Sequence, residues 1–208
     1  MKRAFALILL LPSVALAWNK TGHQVAGSIA YRSMTPEART KVVKILKAHP
    51  YYPTWQKKLD AIAEADRDEA LFQFAGTWAD DIRRTEFDHP TWHYVDVPYR
   101  RGEPDGTLPT EESAVTAFKL NVEKLKTTTG ADQAIALTWV FHLAEDIHMP
   151  LHATMLFSPE LPKGDKGGNL FYVKFPGGAR RQPISTPFGM VCLGLMTNSR
   201  HATARPSS

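Results

Sequence analysis

The run Thr138-Trp-Val-Phe-His-Leu-Ala-Glu-Asp-Ile-His-Met-Pro-Leu-His-Ala153 sets His142, Asp146, His148 and His152 inside an otherwise apolar helical pattern. His142 and Asp146 are four residues apart, so a helix stacks them on one face about one turn from each other, where both can grip one ion. Pro150 lacks an amide hydrogen and clashes with the preceding turn, so the chain must bend there and let His152 approach the same place from another direction. This density of imidazole and carboxylate reads as a metal site and points toward metal-dependent hydrolysis. His148 is read as a neighbour of the site or a solvent contact rather than a ligand.

The amino terminus has the form of a secretory signal peptide: Lys2-Arg3, an apolar run from Ala4 to Leu11, then Ala15-Leu-Ala17. The run is too short for a permanent membrane span, and the Ala-x-Ala pattern predicts cleavage between Ala17 and Trp18. A chain beginning at Trp18 offers its α-amino nitrogen and first carbonyl oxygen as a five-membered chelate, with His23 five residues on. Residues 1–17 are therefore expected to be a signal peptide and the destination periplasmic or extracellular, with no integral membrane association. The remainder suits one domain, and the expectation is a monomer. The single cysteine, Cys192, excludes an intrachain disulfide framework.

The formal charge of +4 gives no argument for nucleic acid. Lys2 and Arg3 belong to the leader, and the last 34 residues carry four arginines and no acid. Residues 18–174 hold 19 bases against all 21 acids, a net of about −2, so bound divalent ions would supply any positive field.

Periodicity makes the body helical. Helices are predicted over 22–33, from the Thr35-Pro36 start toward Lys47, and over about 54–66, 69–83, 110–127 and 131–148. Thr110 is read as the cap of the fifth, with Glu111 and Glu112 in its first turn, and Gly130 as the break before the sixth. Only 92–97 and 170–175 look extended. Lys41, Lys44 and Lys47 form a solvated face, Trp55 and Trp139 read as core aromatics, and His49 and His89 as surface histidines.

Two further groups could join a site. Trp78-Ala-Asp80-Asp81-Ile-Arg83 lies near a helix end, and Trp92-His93-Tyr94-Val-Asp96 lies in an extended piece. Strand alternation would put Tyr94 and Asp96 on one face and His93 on the other. Each residue alone has a structural explanation. Jointly, nitrogen and oxygen donors without thiolate suit zinc and a multi-ion phosphoesterase.

In their order along the chain, Trp18, Gly22-His23, Trp78-Ala-Asp80, His93-Tyr-Val-Asp96, the His142–His152 block and Gly167-Gly-Asn169 resemble the zinc-dependent single-strand nucleases and 3′-nucleotidases of the S-one/P-one type. The resemblance implies an all-α, mainly helical, phospholipase C-like fold with short extended segments, around three zinc ions at the bottom of a cleft. By resemblance Asp80, His93, His142 and Asp146 hold one ion. Trp18, His23 and a bridging Asp146 hold the second, and His152 contributes to the third. Asp80 orients the attacking water. Arg83 and Asn169 neutralise charge on phosphorus-bound oxygens, Tyr94 stacks on a base, and Asp96 accepts hydrogen bonds from its edge. The implied substrates are single-stranded DNA, RNA and 3′-nucleotides, the implied products 5′-phosphates.

Two other readings accompany this one: a zinc phospholipase C-like enzyme, which shares the amino-terminal Trp and metal pattern, and a non-catalytic zinc-binding remnant. The remnant is suggested by the end of the chain. Beyond Lys174 helical periodicity and acidic residues vanish together, His201 stands alone, and the family's later Asn-Leu-His and Trp-Asp ligand block is absent. Residues 175–208 are therefore expected to be irregular, the product of truncation or a shifted reading frame. Occupancy of the ion at His152 is expected to be impaired, and the two-ion site better preserved.

Overall fold

Seven helices dominate the computed structural model, which describes residues 20–104, 106–174 and 181–183. They are α1 (Lys20–Ser33), α2 (Pro36–Leu46), α3 (Tyr52–Leu59), α4 (Arg67–Asp81), α5 (Ala114–Thr127), α6 (Gly130–Asp146) and the single turn α7 (Pro150–Ala153). Short strands form two pairs: β1 (Val97–Tyr99) runs parallel to β2 (Thr154–Leu156), and β3 (Tyr172–Lys174) antiparallel to β4 (Arg181–Pro183). The architecture is the expected all-α class. No helix among the described residues is long and apolar enough to cross a membrane. The leader, Trp18, Cys192 and His201 lie outside the described residues.

The central layer is α4 and α6. Helix α6 is apolar nearly all round and buries Ala134, Ala136, Leu137, Thr138, Trp139, His142, Leu143 and Asp146, the pattern of a helix enclosed by its neighbours. Helix α4 packs on it, buries eight residues and also contacts α1, α2 and α3. Gly27 sets the closeness of α1 to α4: a Cβ there would meet the Phe72 carbonyl oxygen at 3.0 Å. Helix α5 covers the other side of α6.

Trp78 and Trp139 anchor the core, edge to face with centroids 6.1 Å apart. Offset and edge-to-face rings bury large apolar areas while satisfying the ring quadrupoles. Trp55 joins them as expected, and Lys41, Lys44 and Lys47 face solvent.

Several boundaries differ from the sequence reading, each for a local reason. Helix α5 begins after Ser113, whose amide donates to Thr116 Oγ1 at 2.8 Å. Glu112, read as a first-turn acid, instead accepts from the Trp92 indole and from Thr91 Oγ1 at 3.1 Å. The helix predicted over 54–66 stops at Leu59 and resumes as a 3₁₀ turn at Glu64–Asp66. Residues Pro90–His93 form a 3₁₀ turn rather than a strand, because Pro90 starts a turn readily and His93 is drawn inward. Of the tail, expected to be irregular, residues 181–183 form β4 and the rest lies outside the described residues.

His49 is the clearest correction. It is 2% exposed, stacked on Trp55 at 4.6 Å and set against the edge of Trp78. Its Nδ1 accepts from the Tyr51 amide at 3.0 Å, closing the Pro50–Tyr52 turn. His89 is half-buried and lies flat on Trp92 at 3.8 Å.

Burial pushes the His49 imidazole down to about 4. The unfolded chain takes up a proton at His49 near pH 6.5, and the folded chain refuses it until about pH 4. His49 thus contributes stability that is present above pH 6.5 and lost as pH falls toward 4, on the order of 3 kcal/mol. Urea unfolding of wild type and His49→Phe at pH 7 and pH 4.5 checks this. The variant is expected to lose about 2 to 3 kcal/mol less than wild type on acidification; equal losses would contradict it.

Candidate metal centre and substrate cleft

A cavity of about 360 Å³ opens beside the carboxyl ends of α4 and α6 and is lined by His23, Asp80, Arg83, His93, Tyr94, Asp96, Asp146, His152 and Asn169, among others. Four segments converge there. Helix α1 brings His23, α4 brings Asp80, the turn before β1 brings His93, and α6 brings His142 and Asp146. After α6 ends, Pro150 opens α7 and turns His152 back toward the cluster, so its Nδ1 donates to the His93 carbonyl at 2.5 Å. The bend read from Pro150 is thus the device that brings His152 in.

Asp146 lies at the centre and is 1% exposed. Its Oδ2 faces His142 Nε2 at 3.0 Å and His93 Nδ1 at 3.3 Å. Its Oδ1 faces His23 Nε2 and His152 Nδ1, each at 3.8 Å. One carboxylate therefore addresses two different sets of donors. Asp80 Oδ2 lies 3.6 Å from His23 Nε2, while Oδ1 lies 3.8 Å from His93 Nδ1 and accepts from the Arg83 guanidinium at 2.9 Å.

The donor set fits a metal ion. Among the described residues, two groups have ligand atoms close enough to hold one: His23, His142 and Asp146, and Asp80, His93 and His142. Zinc–ligand bonds near 2.0–2.2 Å in a tetrahedron place neighbouring donors about 3.3 Å apart. The separations of 2.9 Å for His142–His93, 3.3 Å for His93–Asp146 and 4.0 Å for His142–Asp80 bracket that spacing. Asp146 Oδ1 and His152 Nε2 are buried without a hydrogen-bond partner among the described residues, so polar capacity is left for a cation. The His142 Nδ1–H donates to the Gly76 carbonyl at 2.9 Å, which fixes the tautomer and aims Nε2 inward.

Electrostatics agree with the geometry. Full burial would lower the His142 pKa, yet Asp146 and then Asp80 outweigh it and raise the group to about 9, so the field at this spot favours positive charge. Burial alone would raise Asp146, but His142 and His93 hold it well below the usual carboxylate range. Burial, reinforced by His142, pushes His23 down to about 3, which keeps its imidazole neutral, the form that binds metal.

The expected grouping shifts in one respect: His142 is close to both donor sets, whereas the sequence reading placed it in one. Trp18 lies outside the described residues, and His152 joins neither three-ligand group. His148 is exposed and bonded to the Ala144 carbonyl, away from the cluster.

At the mouth, Tyr94 is 40% exposed and Asp96 half-buried; burial, with Asp165 nearby, raises the Asp96 carboxyl. His93, Tyr94 and Asp96 all line the same cavity, so the opposite-face arrangement expected of a strand is replaced by a turn into an extended residue. Gly167 has φ +62°, and a Cβ on it would meet the Leu151 carbonyl oxygen at 2.7 Å, so only glycine lets this loop close over α7 and present Asn169.

Asp165 and Glu145 were not singled out from the sequence. Buried Asp165 accepts from the Leu156 amide at 3.1 Å and the Gly168 amide at 3.2 Å, fastening the Asn169 loop to β2. Its position just ahead of the Gly-Gly pair was the available signal. Glu145 sits beside Asp146 and contacts His23 Nδ1.

The S1/P1 Nuclease family model matches residues 18–182, most of the chain. The chain belongs to the S1/P1 nuclease family. Endonuclease 4 of Arabidopsis thaliana is 27% identical over 199 aligned residues, covering 84% of this chain and 56% of the plant protein. The chain thus spans little more than half the length of that relative. The family match runs through the described clusters of all four converging segments and on to β4, and it favours a nuclease over the phospholipase C-like reading.

Because Asp146 addresses both donor sets, Asp146→Asn is expected to weaken zinc binding by at least about 100-fold, more than loss of an outer hydrogen-bond partner would. Competition with a chromogenic chelator measures it, with Asp81→Asn, an exposed carboxylate paired to Lys20, as the control expected to behave as wild type. Wild-type zinc affinity in Asp146→Asn would contradict the central placement of this carboxylate.

Proposed function

We propose that this protein is a secreted or periplasmic zinc-dependent endonuclease and 3′-nucleotidase that hydrolyses single-stranded DNA and RNA to 5′-phosphates. The observation that carries the reading is the buried Asp146 carboxylate facing two donor sets beneath a cavity with Tyr94 and Asp96 at its mouth. Asp80, His93, His142 and Asp146 would hold one zinc ion, His23 and Asp146 with the Trp18 amino terminus a second, and His152 would contribute to a third. Bound there, zinc supplies Lewis-acid polarisation of phosphoryl oxygens and acidifies water.

The chain's own residues do the rest. Asp80, its orientation fixed by the bond from Arg83, accepts a hydrogen bond from the attacking water and directs it in line with the scissile P–O bond. Arg83 and Asn169 donate to the equatorial phosphorane oxygens as negative charge grows on them. The exposed Tyr94 ring stacks on a nucleobase, and Asp96 accepts from the amino or imino hydrogens on its edge. A duplex hides both the stacking face and that edge, which gives the preference for unpaired strands a physical cause. The leader reading of residues 1–17 supports export.

Tyr94→Ala and Asp96→Ala separate base recognition from chemistry. Each is expected to raise KM for a single-stranded oligonucleotide about 5- to 150-fold, from roughly 1–3 kcal/mol of stacking or hydrogen bonding. Hydrolysis of bis(p-nitrophenyl) phosphate, which has no base, is expected to change less than about 3-fold. Equal losses on both substrates would refute the base-pocket assignment, and no cleavage of oligonucleotide by zinc-loaded wild type would refute the nuclease reading of this chain.

A further inference from the structure

Glu145 is a carboxylate that the proposed reaction leaves without a role. It immediately precedes Asp146 near the end of α6, yet its side chain is only 12% exposed and points toward α1 rather than into water. A carboxylate is rarely enclosed unless a partner holds it. Its partner is His23: Glu145 Oε2 is in hydrogen-bond contact with His23 Nδ1.

The surroundings leave room for this contact. Gly76 on α4 lies against the carboxylate, and a Cβ there would stand 3.4 Å from Glu145 Oε1 and 3.3 Å from the His23 carbonyl oxygen. Glycine at this point admits the acid between α1 and α4. With Nδ1 engaged by Glu145, the other ring nitrogen of His23, Nε2, is turned toward Asp80 Oδ2 at 3.6 Å and Asp146 Oδ1 at 3.8 Å. His142 is oriented by the same logic through a different acceptor, the Gly76 carbonyl, and its ring stacks on that of His23 at 4.2 Å.

We infer that Glu145 is a positioning residue: it takes the proton of His23 Nδ1 as a hydrogen-bond acceptor, fixes the ring, and leaves the Nε2 lone pair for the metal ion. The inference rests on the zinc reading proposed above.

The test uses the full chain, zinc alone, and the variants Glu145→Gln and Glu145→Ala. Chelator competition is expected to show one zinc weakened about 10- to 100-fold in Glu145→Ala. Glu145→Gln, which retains a neutral acceptor of the same shape, is expected to lie between it and wild type. Long-range ¹H–¹⁵N spectra of zinc-loaded wild type are expected to show His23 protonated at Nδ1 alone. Unchanged zinc affinity in both variants, or His23 protonated at Nε2 in the loaded wild type, overturns the role of Glu145 while the zinc reading stands. Wild type that binds no zinc overturns both. If Glu145→Ala does not fold, the near-isosteric Gln variant and the wild-type tautomer decide the question.

Discussion

The structure depends on placing one ionised carboxylate, Asp146, in the middle of a helical bundle. An unpaired carboxylate removed from water costs several kcal/mol even after relaxation, so its neighbours must compensate it or the helix cannot be buried there. The compensation comes chiefly from His142 one turn back on α6 and His93 from the turn before β1, with His152 and the neutral His23 ring of α1 also facing the carboxylate, while Asp80 from α4 adds a second negative charge that a bound cation would offset. Each element is then obliged to approach α6 closely. Gly27 lets α1 close on α4, Gly76 leaves space at the crossing, and Trp139 fills the region behind His93 and His142.

What could be read from the sequence divides along the same lines. His142 and Asp146 were legible because a helix converts a spacing of four into a shared face, and His152 because Pro150 forces a bend. Asp80 and His93 were legible only as parts of an ordered set of motifs, since nothing local distinguishes a ligand from an ordinary helix carboxylate or core histidine. His49 was misread for the complementary reason: its burial comes from Trp55 and Trp78, whose rings meet only after α3 and α4 pack. Glu112 illustrates a different failure, where an expected place in the first turn of a helix lost to a bond with the Trp92 indole from a neighbouring segment. Glu145 was not singled out because the α6 sequence gives no sign of its neighbour on α1.

The cluster also couples folding to ligand binding. Its residues come from distant segments, so the unfolded chain has no equivalent arrangement, and free energy gained by binding a cation there is gained by the fold. The imidazole-rich setting of Asp146 means that the folded state already carries the orienting bonds: His142 to the Gly76 carbonyl, His152 to the His93 carbonyl, and His23 to Glu145. Binding therefore requires little reorganisation of the donors, which is how a site gains affinity without additional contacts.

The floor and rim of the cleft are built to different standards of rigidity. Asp80, His142 and Asp146 sit on long, buried helices, where packing on several sides fixes them to the fraction of an ångström that in-line attack requires. Tyr94, Asp96 and Asn169 sit on short extended or turn segments at the mouth, tied down by backbone bonds from the Ala114 amide to the Tyr94 carbonyl and from the Val95 amide to the His152 carbonyl, by the β1–β2 pairing and by the two backbone bonds to Asp165. On the proposed reading, a single strand presents bases of different size and edge chemistry at a phosphodiester of constant geometry. A rigid floor with a more adjustable rim would meet both demands of the proposed substrate, since a change in a rim residue leaves untouched the carboxylate on which the bundle depends.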